Sequence, residues 1–337
     1  MIPHNRPTLG LEEHAAANRV LNSGWVAQGA EVEGFENEIC EFLGLPHGHA
    51  VAVSSGSAAL YLALWVLDGA NKKIGLPVYS CGALKNAIGL INGQPSYLDC
   101  AVDSPNLDIG LAGQSGLDIL IAPSMFGFPI KVDAKRSYEL VEDLAQAFGA
   151  KIDGVPIGVR GEVGICSFYT TKLITSGGQG GAVVSKDKSL IDAVRDYREF
   201  DCRTDGKLRF NFQMTDLQAA IGRAQLNRIQ EFIIKRQDIF DEYTRAGVNL
   251  VNEGNGVSQP VRYRAIVRSQ EPDNLITALN NQQIKAIIPI ERSELLDEPL
   301  NYPNANKFST STVSLPVYPS LNLQEISLIS KVLAKNL

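Results

Sequence analysis

Short apolar runs alternate with helical stretches through the first half of the chain. This alternation limits the fold more than any other feature. Residues 49–53 (HAVAV) read as a strand, and residues 56–68 (GSAALYLALWVLD) as an almost wholly apolar, buried helix. A further strand ends near Pro77, a helix covers 82–91, and strands follow at 95–98, 118–122 and 138–141. Strands separated by helices make βαβ units and a mostly parallel sheet. Two more strands, 165–169 and 182–185, flank a glycine-rich connection, and residues 188–200 carry Leu190, Val194 and Tyr197 at helical spacing. A longer helix starts at Thr215, which forms a capping-box pattern with Gln218. Its apolar stripe begins at Leu217, Ile221 and Ala224 and continues through Leu226, Ile229 and Ile233.

Gly, Asn and Ser become frequent at 247–260, which predicts a domain boundary there. The expected domains are 1–246, a large domain including the N-terminal segment, and 247–337, a small C-terminal domain. The small domain reads as a strand (261–267), a helix (273–281), a strand (285–288), an irregular stretch and a last helix capped by Asn322 and Glu325.

Composition removes several function classes. The 337 residues hold 31 basic and 37 acidic side chains, a net charge of −6. Non-specific nucleic-acid binding needs a basic footprint, so this balance argues against it. No apolar run approaches the ~18 residues of a membrane span. The first seven residues contain no apolar signal-peptide region, so a cytoplasmic location is expected. The five cysteines are odd in number and form no CxxC, which argues against a disulfide framework or a zinc site. All four histidines lie in the first 49 residues. Acid–base chemistry in the rest of the chain must therefore use lysine, carboxylates, tyrosine or cysteine.

Three motifs carry chemistry. Ser54-Ser55-Gly56-Ser57-Ala58-Ala59 ends a strand and opens a helix. Small residues admit a ligand to the free N–H groups of a helix N-terminus, which favour phosphate. A simple N-cap by Ser57 would also account for it. Glu142-Asp143-Leu144-Ala145-Gln146 follows an apolar run, where ligands of open parallel sheets bind. One acid there can meet a cationic ligand atom, although both would also suit a solvated loop. Lys172 follows a strand within a run of hydroxyls and glycines. A desolvated lysine forms Schiff bases with carbonyls, while most lysines are simply exposed. The glycine cluster 177–181 precedes a strand and lacks the GxGxxG order, so it is no dinucleotide fingerprint. A phosphate cradle, an acid and a lysine at strand ends together match the needs of pyridoxal phosphate, PLP.

These motifs resemble the DegT/DnrJ/StrS-type sugar aminotransferases. The resemblance is carried by residues 23–29, 49–60, 142–150, 167–183 and 210–222, in the right order. It implies an α/β, three-layer PLP-transferase fold, with a mostly parallel central sheet in the large domain and a smaller C-terminal α+β domain. Lys172 would hold PLP as a Schiff base and afterwards shuttle the substrate proton. Asp143 would pair with the pyridinium nitrogen, and Gln146 would lie near the ring hydroxyl. Ser57, Ala58 and Ser167 would hold the phosphate. Asn211 would reach the phosphate of a partner subunit, making a homodimer with shared active sites. The implied reaction moves an amino group from L-glutamate, which leaves as 2-oxoglutarate, to a nucleotide-linked keto sugar.

The chain also departs from that pattern. Cys81 stands where family members carry an aromatic on the PLP ring, and Tyr79 would share its face if that segment is extended. Ser124 replaces a histidine, Gln213 a basic residue, and 288–292 differs from the usual substrate loop. Arg292 and Arg264 are candidates for an acceptor anion. The competing readings are a non-nucleotide keto substrate and a PLP-binding accessory protein with little turnover. Lys172 argues against a dehydratase of this family, and the missing fingerprint against an NAD-dependent oxidoreductase.

Overall fold

The computed structural model describes residues 1–253 and 257–336. The middle of the 247–260 stretch, on which the domain boundary was placed, therefore lies outside the described residues, as does Leu337. The elements run α1 (Leu11–Ser23), α2 (Ala30–Leu43), β1 (Ala50–Val53), α3 (Gly56–Val66), β2 (Lys73–Pro77), α4 (Ala83–Leu90), β3 (Gln94–Leu98), α5 (Ile109–Gln114), β4 (Ile119–Pro123), β5 (Glu139–Asp143), β6 (Lys151–Ile152), β7 (Val155–Pro156), β8 (Val163–Ser167), β9 (Gly181–Val184), α6 (Lys188–Arg198), α7 (Asp216–Asn227), α8 (Ile229–Arg245), β10 (Ser258–Gln259), β11 (Ala265–Arg268), α9 (Pro272–Asn281), α10 (Pro303–Ser311), β12 (Thr312–Leu315) and α11 (Leu323–Asn336).

Seven strands form the central sheet in the order β1-β9-β8-β5-β4-β2-β3. Neighbours are parallel except β9, which runs antiparallel to both β1 and β8. Side chains alternate across the sheet, as the pleat requires. Val51, Val53, Ile74, Leu76, Ile121 and Val183 pack on one face with Leu60, Leu62 and Ala63 of α3. Ala50, Ala52, Cys166, Ala182 and Val184 pack on the other with Phe35 and Ile39 of α2 and Leu226 and Phe232 of α7 and α8. The result is a three-layer α/β body with the sheet buried on both faces, as expected. Each large side chain so buried contributes roughly 1.5–3 kcal/mol.

A second core gathers Ile239, Phe240 and Tyr243 of α8, Leu275 and Leu279 of α9, Val313 and Leu315 of β12, and Ile329 and Leu333 of α11. It is built around the antiparallel pair β11–β12. The N-terminal segment also reaches it, since Ile2 bridges Ile284. Further, β10 pairs with β6, so residues 258–259 are stitched to the large body.

Three expectations need correction. The expected long helix breaks at Arg228 (φ −105°, ψ 2°) into α7 and α8. The expected strand 261–267 begins only at Ala265, because Arg262 is in the left-handed region (φ 49°) and the Val261 and Arg264 amides donate to Gly127 and Phe126. Residues 285–288 form no strand, only a single bridge from Ile287 to Ser314. Both proposed caps form: Gln218 N–H donates to Thr215 Oγ1 (3.3 Å), and Glu325 N–H to Asn322 Oδ1 (2.9 Å). Among the described residues no helix is long and apolar enough to cross a membrane.

Candidate active site

The carboxyl ends of the parallel strands open onto a cavity of about 210 Å³. Ser57, Cys81, Asp143, Gln146, Ser167 and Lys172 all line it. Residues far apart in sequence meet here because each follows or ends a strand on the same sheet edge: Asp143 ends β5, and Ser167 ends β8.

One wall is the start of α3. Its cap is Ser55, whose Oγ accepts from Ala58 N–H (3.1 Å); the cap considered at Ser57 is not the one formed. Ser57 is exposed to the cavity, whereas Ala58 is buried and its N–H is taken. The N–H groups of Gly56 and Ser57 precede the intrahelical ladder and remain available to an anion. Gly56 is required by packing: a Cβ there would lie 2.8 Å from Ser167 Cβ.

The opposite wall holds the two acids. Glu142 serves structure, accepting from the N–H groups of Arg160 (2.7 Å) and Gly161 (2.8 Å). Asp143 faces the cavity. Burial pushes its carboxyl above the usual range, opposed by the Ala145 N–H (2.8 Å) and the Lys172 charge. A buried acid with one hydrogen-bond donor among the described residues is a ready partner for a ligand cation. Gln146 Oε1 accepts from Phe126 N–H (2.8 Å), which leaves its Nε2 as a donor. Phe126 itself has φ 58°, unusual for an aromatic residue, so this arrangement is held against backbone preference.

Lys172 is half-buried, and its ammonium makes no ion pair among the described residues. It lies 5.6 Å from the centroid of the Tyr263 ring. Tyr263 was not anticipated, and nothing in the sequence near it marks it: it comes from the connection between the two bodies, distant by 91 positions in the chain. Ser55, Ser124, Tyr169 and Gln179 also line the cavity. Tyr79 does not share the face of Cys81. It is fully buried, with its ring 6.0 Å from Phe126 and 5.9 Å from Phe308. Cys81 thus lines the cavity without Tyr79. Asn211 is exposed, away from this cavity, with its Oδ1 accepting from Gln213 N–H (3.0 Å). Arg292 is exposed on the C-terminal body.

Helix-terminal N–H groups, a buried acid, an amide donor and an unpaired lysine form the donor set that pyridoxal phosphate requires. The DegT/DnrJ/EryC1/StrS aminotransferase family model matches residues 7–334. The chain belongs to that aminotransferase family. Members of known activity include a GDP-perosamine synthase from Vibrio cholerae, 29% identical, with 95% of each chain covered. A dTDP-3-amino-3,4,6-trideoxy-alpha-D-glucose transaminase from Streptomyces venezuelae is 30% identical, covering 93% of this chain and 89% of that one. A Streptococcus pneumoniae protein solved in its PLP form superposes with a TM-score of 0.89 at 22% identity, over 100% of this chain and 99% of that one. This DegT-type aminotransferase therefore has the fold its strand order indicates, and Ser57, Asp143, Gln146, Ser167 and Lys172 of its motifs line the cavity at the sheet edge, whereas Ala58 and Asn211 do not.

Proposed function

We propose that this aminotransferase uses pyridoxal phosphate held by Lys172 and moves an amino group from L-glutamate to a nucleotide-linked keto sugar. The observation that carries the reading is the convergence of Lys172, Asp143, Gln146 and the α3 N-terminus on one cavity. The curated relatives, which act on nucleotide sugars by name, support the acceptor class.

When bound, pyridoxal phosphate supplies an electron sink that stabilises negative charge on the substrate carbon. The chain's own residues do the rest. The N–H groups of Gly56 and Ser57, with the Ser57 and Ser167 hydroxyls, bind the phosphate. Asp143 would pair with the ring nitrogen and favour its protonated form, since a buried carboxylate gains most from a cation it can pair with. Gln146 Nε2 would offer a donor to the ring hydroxyl. Lys172 would hold the cofactor through its amine and, when free, would serve as general acid and base at the substrate carbon. The Tyr263 ring supports its ammonium. Tyr169 and Cys81 line the same cavity, where the ring would lie.

Asn211 is assigned to the phosphate of a second subunit, in a homodimer with shared sites. Exposed apolar side chains beside it, Leu208 (94%) and Phe210 (66%), support a covered surface there. The boundary near residue 247 and a cytoplasmic location complete the reading. The test is a two-step assay of purified protein. L-glutamate should yield one 2-oxoglutarate per subunit, and a nucleotide-linked keto sugar should then permit continued turnover. Turnover with a free keto acid in place of the sugar would overturn the acceptor assignment.

A further inference from the structure

Beyond the cofactor cavity lies a smaller one of about 200 Å³, lined by His4, Asn5, Thr171, Tyr263, Arg264, Ile287, Leu315 and Val317. It shares a wall with the first, for Thr171 lines one cavity and Lys172 the other. The N-terminal segment closes it: Asn5 Nδ2 donates to Thr171 O (3.0 Å), and Lys285 N–H donates to Ile2 O (2.9 Å).

Arg264 is the distinctive side chain. Its backbone is fixed by a hydrogen bond from its N–H to Phe126 O (3.3 Å). Its guanidinium is held over two rings, 5.6 Å from the Tyr263 centroid and 5.8 Å from that of Phe126. Its Nη1 donates only to neutral groups, Ser314 Oγ (3.2 Å) and His4 Nε2 (3.4 Å). Its Nε is buried with no partner among the described residues. No carboxylate pairs with it among the described residues. The cavity lining among the described residues holds no acid either. His4 is held neutral, its pKa lowered to about 3 by burial and by the charges of Arg264 and Lys285.

An arginine fixed on aromatic faces, with an unused donor edge and no acid, is preorganised for a planar anion. A buried donor left unpaired is costly, so an anion reaching the Arg264 Nε would relieve that cost. Lys172 and Arg264 each lie 5.6 Å from the same ring centroid, so the two cations are within twice that distance of one another. The cavity is too small for a nucleotide and suits a carboxylate on a short chain.

We propose that Arg264, with Ser314 and His4 behind it, is the subsite for a carboxylate of the small organic acid co-substrate, the amino donor or its oxo-acid product. The identity of that acid as glutamate rests on the function proposed above; the anion site does not.

Maleate, a dicarboxylate without an amino or keto group, separates the two. Its binding to the cofactor-loaded protein is measured by calorimetry for wild type, Arg264→Leu and Arg264→Lys, with folding checked by thermal unfolding. Loss of a charge-assisted bidentate contact predicts about 10- to 100-fold weaker maleate binding in Arg264→Leu, with partial retention in Arg264→Lys. The half-reaction with L-glutamate should then show a raised apparent dissociation constant with a nearly unchanged rate at saturation. Weakened maleate binding together with inert L-glutamate would uphold the subsite and refute glutamate as donor. Wild-type-like maleate and glutamate binding in folded Arg264→Leu would overturn the subsite. Weakening by sodium chloride or phosphate as effective as by maleate would overturn its assignment to an organic acid.

Discussion

The Lys172 ammonium rests over the face of the Tyr263 ring, 5.6 Å from its centroid, although the two residues are 91 positions apart in the chain. The contact is electrostatic in both directions. Burial pushes the phenol up, but the charges of Lys172, Arg264 and Arg236 and a hydrogen bond with Thr171 together outweigh it and hold Tyr263 below its ordinary range. The ring face and not the hydroxyl positions the lysine. Tyr263→Phe should keep cofactor attachment and most of the turnover. Tyr263→Leu should fold yet lose about 2- to 30-fold in the half-reaction rate, in line with the roughly 0.5–2 kcal/mol of such contacts. Single-turnover absorbance measurements on both variants check this. Equal losses would place the effect on the hydroxyl instead.

Asp143 offers a separation of stability from activity. Its folded-state pKa is raised by burial, so its charged form is disfavoured in the cofactor-free protein. The sign follows: above the unfolded value the unfolded chain loses its proton more readily, so this residue costs stability as pH rises. Asp143→Asn should therefore leave the melting temperature of the cofactor-free protein unchanged or higher at neutral pH. Turnover should fall by at least about 100-fold, because the ring nitrogen loses its proton-holding partner. Calorimetry and steady-state kinetics on one preparation test both halves.

Gly56 tests the phosphate cradle. A methyl group there would meet Ser167 Cβ at 2.8 Å, with little room for the β8 backbone to yield. Gly56→Ala should cost about 1–3 kcal/mol of stability by overpacking, and weaken cofactor affinity further by displacing the α3 N-terminus. Equilibrium dialysis with pyridoxal phosphate, beside urea unfolding, separates the two effects.

His4 gives the pH dependence. Its pKa is lowered from 6.5 to about 3, chiefly by burial. Below pH 6.5 the unfolded chain takes up a proton that the native state refuses, so stability is complete above 6.5 and falls as pH drops toward 3. With His4 half-buried, the loss should be on the order of 1–2 kcal/mol by about pH 4.5. Thermal unfolding of His4→Gln should be flatter across this window than wild type.

Shared sites make a subunit-mixing prediction. Lys172→Ala and Asn211→Ala, each inactive alone, should recover about a quarter of wild-type turnover when mixed, since half the dimers would carry one intact site. No recovery after subunit exchange would count against the role given to Asn211.

The sequence made the catalytic half legible where chemistry depends on local order. The run from Ser54 to Ala59 ends a strand and opens a helix, and Asp143 and Lys172 follow strands, so strand periodicity alone brought them to one sheet edge. Which acid faces the cavity was legible only through the family resemblance, which named Asp143, because in the motif itself Glu142 and Asp143 differ only by the pleat and by the Arg160 and Gly161 amides that Glu142 serves. Tyr79 misled for a related reason: its neighbours in space, Phe126 and Phe308, are remote in sequence. The second half was harder. Residues 303–311 and 312–315 read as irregular yet form α10 and β12, and β12 is held by pairing with β11. Helices α1 and α2, whose flanking glycines obscure their limits, were not separated from the N-terminal segment.

The central claim is that Lys172 anchors the cofactor and that L-glutamate displaces it. Borohydride reduction of the pyridoxal phosphate-loaded protein, followed by peptide mass mapping, tests this most directly. The account predicts a phosphopyridoxyl label on Lys172 alone, lost when the protein is first incubated with L-glutamate. A label on another lysine, or none, would contradict the assignment of the site; a Lys172 label that persists with L-glutamate would contradict the donor.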